Sequence, residues 1–168
     1  QAKLGRMDMG SGSIEAPLSL PTAANNDWIL ALPGSSEIVL PGSDSMTILD
    51  TVTGEIKAAA AIPSNEWPAS RSAENILAVS DMTVLAGGSG FAVATTDQYV
   101  RVFERATAQM WGPAIRAGHY MRRLSSSDEP LPDHNDLISL DYDNGLELWS
   151  WRDGKRCLPR LAPGLPIA

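Results

Sequence analysis

Cysteine is all but missing from this chain. Its 168 residues include a single one, Cys157, so no internal disulfide can form and a small secreted disulfide scaffold is excluded. Positive charge is scarce: 13 Lys and Arg stand against 20 Asp and Glu, for a formal charge of −7 and a pI near 4.7. A protein that wraps nucleic acid in a broad basic surface does not have that balance. No apolar run approaches the ~20 residues that a membrane-spanning helix needs, so no membrane partner is expected. The opening stretch QAKLGRMDMGSGS has neither the basic-then-apolar order of a signal peptide nor the Arg-rich pattern of a transit peptide. It starts at Gln1 rather than Met, which leads us to expect a piece of a longer polypeptide. Helical periodicity is also lacking. The best stretches, Ala58–Ile62 and Glu104–Met110, are too short to stand as helices.

Turns and short apolar runs take its place. The 14 glycines and 12 prolines exceed the usual share, and clusters such as PGSD (41–44), TGE (53–55), YDNG (142–145) and RDGK (152–155) punctuate the chain. Between them lie β-rich runs at Trp28–Leu32, Glu37–Leu40, Met46–Asp50, Ile56–Ile62, Ile76–Val79, Phe91–Thr95, Tyr99–Glu104, Leu137–Asp141 and Leu146–Trp151. Many short strands with close turns predict an all-β sandwich, barrel or propeller.

Three stretches repeat one pattern, and an internal repeat outranks single motifs as a guide to fold. They are EIVLPGSDSMTILDTVTGEIKAAAAI from Glu37, GFAVATTDQYVRVFERATAQMWGPAI from Gly90 and DLISLDYDNGLELWSWRDGKRCLPRL from Asp136. Each reads as an apolar strand, a turn containing Asp, an apolar strand ending in a bulky residue, a second turn and a third strand. Leu49, Phe103 and Trp149 take the same place, 54 and 46 residues apart. That spacing, with four strands per unit, is the period of a propeller blade. The first strand of each blade is expected at Trp28–Leu32, Asn75–Val79 and Tyr120–Leu124. The expected fold is all-β: about three four-stranded antiparallel sheets forming β-propeller blades, in an open arc rather than a closed ring. Residues 1–27 are read as a loose lead-in, 28–66, 67–115 and 116–162 as blades, and 163–168 as a tail. Three blades are too few to close a ring, so the first and third sheets are expected to expose apolar faces.

On these residues the chain resembles the WD40-repeat propellers. In the third repeat Gly118-His119 stands thirty residues before Trp149, and Asp143-Asn144-Gly145-Leu146-Glu147-Leu148-Trp149 matches the family's Asp-Gly-Thr-Val-Arg-Leu-Trp stretch. The resemblance implies a hydrogen-bonded structural tetrad of His119, Ser139, Asp143 and Trp149. The second repeat keeps Asp97 and the YVRVF strand, with Phe103 for the Trp and Val93 for the hydroxyl. The first keeps Asp44 and Asp50, with Leu49 for the Trp. Only Asp50 preserves the acid of the Trp-Asp dipeptide; Glu104 and Ser150 replace it elsewhere. Degenerate blades of this kind are similar to those of nucleolar ribosome-processing propellers. The GFAVATTDQYVRVF strand, with Gln109 six residues past Phe103, is similar to the chromatin replication adaptor family.

The chemistry-bearing residues are read as structural. His119, Ser139 and Asp143 have the types of a catalytic triad, but no Gly-x-Ser-x-Gly elbow accompanies Ser139, and a satisfied polar network holding strands together is the better expectation. His134 in PDHND (132–136) and the run SSSDEPLPD (125–133) read as exposed loop, the run being an insertion between two strands. LAGGSG (85–90) lacks the Lys-Ser/Thr of a phosphate loop and precedes a strand, so a hairpin turn is expected. Cys157 is expected to be a small buried apolar residue. Arg101, Arg105, Arg116, Arg122, Arg123, Arg152, Lys155 and Arg156 gather positive charge in the second half, leaving a local patch for RNA or an acidic protein as an alternative. Trp149 and Trp151 fall on one face by strand alternation.

The function expected is therefore a non-catalytic protein-interaction scaffold. It would be part of a WD40-like propeller in an intracellular multiprotein complex, nuclear or cytoplasmic, without cofactor or metal, whose partners are the other proteins of the assembly. The alternatives are a fragment of a propeller enzyme, of quinoprotein or hydrolase type, and a β-sandwich binding module.

Overall fold

The computed structural model describes residues 3–7, 10, 11, 13–19, 28–42, 45–63, 79–117, 121–126, 137–142 and 145–161. A hairpin of β1 (Lys3–Met7) and β2 (Ile14–Ser19) precedes three four-stranded antiparallel sheets, each a meander in chain order. Sheet 1 comprises β3 (Leu30–Ala31), β4 (Glu37–Pro41), β5 (Ser45–Asp50) and β6 (Ile56–Ala61). Sheet 2 comprises β7 (Val79–Val84), β8 (Gly90–Thr95), β9 (Tyr99–Glu104) and β10 (Ile115–Arg116). Sheet 3 comprises β11 (Met121–Ser126), β12 (Leu137–Tyr142), β13 (Gly145–Ser150) and β14 (Lys155–Leu161). These are blade-like sheets that do not close into a ring, as the repeat predicts, and three layers set aside the two-sheet sandwich. LAGGSG forms a single 3-10 turn at Ala86–Gly88 that joins β7 to β8.

The middle sheet explains the stacking. Every residue of β8 is buried, on both of its faces. Phe91, Val93 and Phe103 pack with Leu32, Val39, Met46 and Ile48 of the sheet 1 region. Ala92, Ala94, Val100, Val102 and Ile115 pack with Leu124, Ile138, Leu140 and Trp151 of the sheet 3 region. Phe91 and Phe103 are ladder partners whose rings stack 5.6 Å apart at 15°. The first strands of the sheets run side by side, β7 against β3 and against β11. Asp81 Oδ2 accepts from the Leu124 amide at 2.6 Å, and the Ser126 hydroxyl donates to the Val84 carbonyl. Backbone groups of two separate sheets are thereby satisfied across the seam.

The three repeats superpose in register as well as in sequence. Leu49, Phe103 and Trp149 pair with Ile38, Phe91 and Ile138. Each faces the layer before its own: the hairpin, sheet 1 and sheet 2 respectively. The turns after these strands share one closure. The Gly54 amide donates to the Asp50 carbonyl at 2.8 Å, that of Ala108 to Glu104 at 2.8 Å, and that of Gly154 to Ser150 at 3.0 Å. All three closing residues have positive φ (74°, 55° and 67°), a conformation that glycine adopts freely and Ala108 adopts at a cost of about 1–2 kcal/mol.

Five expectations are corrected. The lead-in contains the β1–β2 hairpin, whose register sets Leu4 opposite Leu18 and Met7 opposite Ile14. Leu4 packs on Ile38, Leu40 and Leu49, which are only 8%, 1% and 1% exposed, so the first sheet does not expose its outer face. That apolar face draws the hairpin onto itself. On sheet 3, Leu137, Leu146 and Leu148 are half-buried. The first strand of sheet 2 is Val79–Val84 and so runs past the expected end at Val79, residues 75–78 lying outside the described residues; the polar Asp81 disguises it, yet its carboxylate is what the neighbouring strand needs. Ser125 and Ser126 belong to β11 rather than to a loop insertion. Cys157 is exposed, because Leu158 pairs with Leu148 and Arg156 with Trp149, leaving Cys157 as the extra residue of a bulge.

Two predictions follow from this packing and these turns. Phe103→Ala should lower stability by about 3–5 kcal/mol, as core aromatic truncations do, whereas Val52→Ala, in an exposed turn, should stay within about 0.5 kcal/mol; urea denaturation checks both. The Thr53 and Val52 amides hold the Asp50 carboxyl below its ordinary range, and the Ser150 hydroxyl does the same for Asp153. A depressed folded-state pKa gives stability that is present above the unfolded value and lost as pH falls through the folded one. Asp50→Asn should therefore flatten the acid limb of a stability-versus-pH curve.

Candidate functional site

Arg101 lies between Val100 and Val102 in the middle strand of the middle sheet, on the face that carries Phe103. Its ladder partner is Val93. A guanidinium there must bring its own counter-charge, since an unpaired buried ion is far costlier than a paired one. Asp97, in the β8–β9 turn, supplies it. Nη2 donates to Asp97 Oδ2 at 2.6 Å, and Nη1 donates to Asp97 Oδ1 at 3.2 Å and to Thr95 Oγ1 at 2.7 Å. The Thr95 hydroxyl donates in turn to Asp97, and the Tyr99 amide donates to Asp97 Oδ1 at 3.2 Å. Both charged side chains are 3% exposed. The Tyr99 ring lies 5.3 Å from the guanidinium carbon. Arg101 Nε is buried without a partner among the described residues. The fork, hydroxyl and turn amide lock the end of the hairpin.

Glu147 occupies the same repeat position in sheet 3 and is 7% exposed. It accepts from the Trp149 indole at 3.0 Å and from Arg156 at 3.3 Å. This bears on the expected tetrad. Trp149 pairs with Ile138 and faces sheet 2, whereas Ser139, one residue on, faces the other way. Its hydroxyl donates to the Ser125 carbonyl at 3.4 Å. The two described members therefore serve different partners; His119 and Asp143 lie outside the described residues, as does His134. In sheet 2 the hydroxyl beside the turn Asp is Thr95 rather than position 93, with Arg101 as the donor. A sign of this is visible in YVRVF, where a charge interrupts an apolar strand four residues after an Asp.

The second feature is the end of the arc that carries the β3–β4, β5–β6, β7–β8, β9–β10 and β13–β14 connections. Arg105, just after β9, joins sheets 1 and 2 there. Its Nε donates to Glu37 Oε2 at 2.8 Å, and its Nη1 to the carbonyls of Pro33 at 3.2 Å and Gly88 at 3.4 Å. A cleft of about 350 Å³ runs between Lys57, Glu104, Arg105 and Trp111, and one of about 500 Å³ between Pro33, Gly34 and Val84–Gly88. On the far side Trp111 packs on Trp151, with ring centroids 4.7 Å apart. Val52, Ile56 and Met110 are 66%, 52% and 41% exposed. Four of the eight cations of the expected basic patch, Arg101, Arg105, Lys155 and Arg156, each face a carboxylate. Among the described residues no cluster of His, Cys, Asp or Glu is arranged to hold a metal ion.

Asp97→Ala should cost about 3–5 kcal/mol by stranding the guanidinium. The double variant Asp97→Ala/Arg101→Met should be less destabilised than Asp97→Ala alone, a reversal that thermal melts of the cycle would detect. Comparison with known proteins finds no matching family model and no matching curated protein, so the site is read from its own geometry.

Proposed function

We propose that this chain is a non-catalytic protein-interaction scaffold, a run of WD40-like blades within a larger intracellular, nuclear or cytoplasmic assembly. The observation that carries the reading is the apolar surface at one end of a rigid stack, where Val52, Ile56 and Met110 are exposed and the half-buried Trp111 lines a cleft. Turns held by packed sheets are where propellers and other scaffolds bind, and aromatic, Met and Arg side chains are the types that carry interface energy. The buried Arg101, Asp97 and Glu147 side chains and the half-buried Asp81 are engaged in hydrogen bonds that hold strands and turns in place, which supports a structural rather than a catalytic use of them. The WD-repeat assignment rests on the third repeat's sequence, and ribosome-processing or replication-adaptor assemblies are the settings that the resemblance favours.

Crosslinking mass spectrometry on the tagged chain in cell extract tests the reading. Partner crosslinks should map to the β5–β6 and β9–β10 turns and disappear in Val52→Asp/Met110→Asp, while the melting temperature stays unchanged. Crosslinks concentrated at the opposite end, or unaffected by the double variant, would overturn it.

A further inference from the structure

At the turn end the described cations are matched to carboxylates in every case but one. Lys57 sits 2.6 Å from Glu55, Arg105 2.8 Å from Glu37, Lys155 3.6 Å from Asp153 and Arg156 3.3 Å from Glu147. Arg152 has no carboxylate among the described residues. It lies instead over two indoles, its guanidinium carbon 4.8 Å from the Trp151 ring centroid and 5.8 Å from that of Trp111. Stacking engages the face of a guanidinium and leaves its edge, with the N–H fork, open to solvent.

The platform beneath it is rigid. Gly112, at φ +94°, comes so close to the β13–β14 turn that a Cβ on it would sit 2.8 Å from the Trp151 carbonyl oxygen. A Cβ on Gly154 would sit 2.9 Å from Pro113 Cγ. The β9–β10 and β13–β14 connections are thus clamped together, and the arginine is held before any partner arrives, which lowers the ordering cost of binding. Trp111, one of the two indoles, also lines the cleft of about 350 Å³, and the residue before it in the chain, Met110, is exposed.

We propose that Arg152 on its two indoles reads a carboxylate, and that the turn end binds a protein segment in which a single Asp or Glu stands next to an apolar residue. The acid would take the guanidinium fork in a charge-assisted pair, and the apolar neighbour would cover Met110 and Trp111. The chain's formal charge of −7 disfavours a long acidic run or a nucleic acid by long-range repulsion, so an isolated acid in an apolar setting is the fitting occupant. This deepens the scaffold reading and rests on it.

Panning a random dodecapeptide display library on the immobilised full chain tests the proposal. Enriched peptides should share one Asp or Glu within two residues of an aliphatic or aromatic side chain. Binding of the synthesised peptides should fall about tenfold or more in Arg152→Gln, the scale of a lost charged hydrogen bond, with Arg152→Lys intermediate and melting temperatures unchanged. Enriched peptides without an acid, peptides that bind Arg152→Gln equally well, or no enrichment would overturn this proposal while leaving the crosslinking test of the scaffold to stand. Arg152-dependent binding of a single-stranded RNA oligonucleotide in preference to any peptide would also overturn it.

Discussion

Burying both faces of sheet 2 is the constraint from which the rest of the architecture follows. Its two middle strands are apolar on both sides, with Phe91, Val93 and Phe103 toward one neighbour and Ala92, Ala94, Val100 and Val102 toward the other. A sheet of that kind left alone would hold one face in water, at about 25 cal/mol for each Å² of apolar area left uncovered. Flanking it with two sheets of the same construction removes the cost. It also fixes the side on which Leu49, Phe103 and Trp149 lie, because register and alternation leave no freedom once one face is buried.

That burial creates the electrostatic problem that the turn solves. With both faces covered, Arg101 cannot reach water, and only a carboxylate within its own hairpin can follow it into the core. Asp97 and Thr95 do so, and the same contacts close the β8–β9 turn. Asp81 plays the complementary part between sheets, accepting the Leu124 amide of β11. These interactions specify alignment more than they add stability, since buried pairs often do little better than apolar residues of the same shape.

The two outer layers are treated differently. Sheet 1 is covered by a two-stranded hairpin that places Leu4 over Ile38, Leu40 and Leu49, while sheet 3 presents Leu137, Leu146 and Leu148 half-buried. Perpendicular to this stacking direction, the turn end joins the layers through Arg105 and through the Trp111–Trp151 pair. The elements that hold neighbouring blades together there are also those that shape the exposed surface.

The blade pattern was legible in the chain itself. Alternating apolar runs of about six residues, an Asp in each hairpin turn and a spacing close to fifty are local features, and local features survive without coordinates. The shared closure of the turns after Leu49, Phe103 and Trp149 follows from the same repeats. What could not be read is everything that depends on which surfaces meet. YVRVF does not say that Arg101 is enclosed until sheet 1 lies over it. VSDMTV does not read as a strand until β11 supplies an amide for Asp81. Trp111 and Trp151, forty residues apart, become one platform only because two loops are clamped at Gly112. Cys157 turns outward because a bulge shifts its strand by one residue. Periodicity along a strand is set by neighbouring residues, whereas burial and partnership are set by distant ones, and those are chosen only when the layers pack.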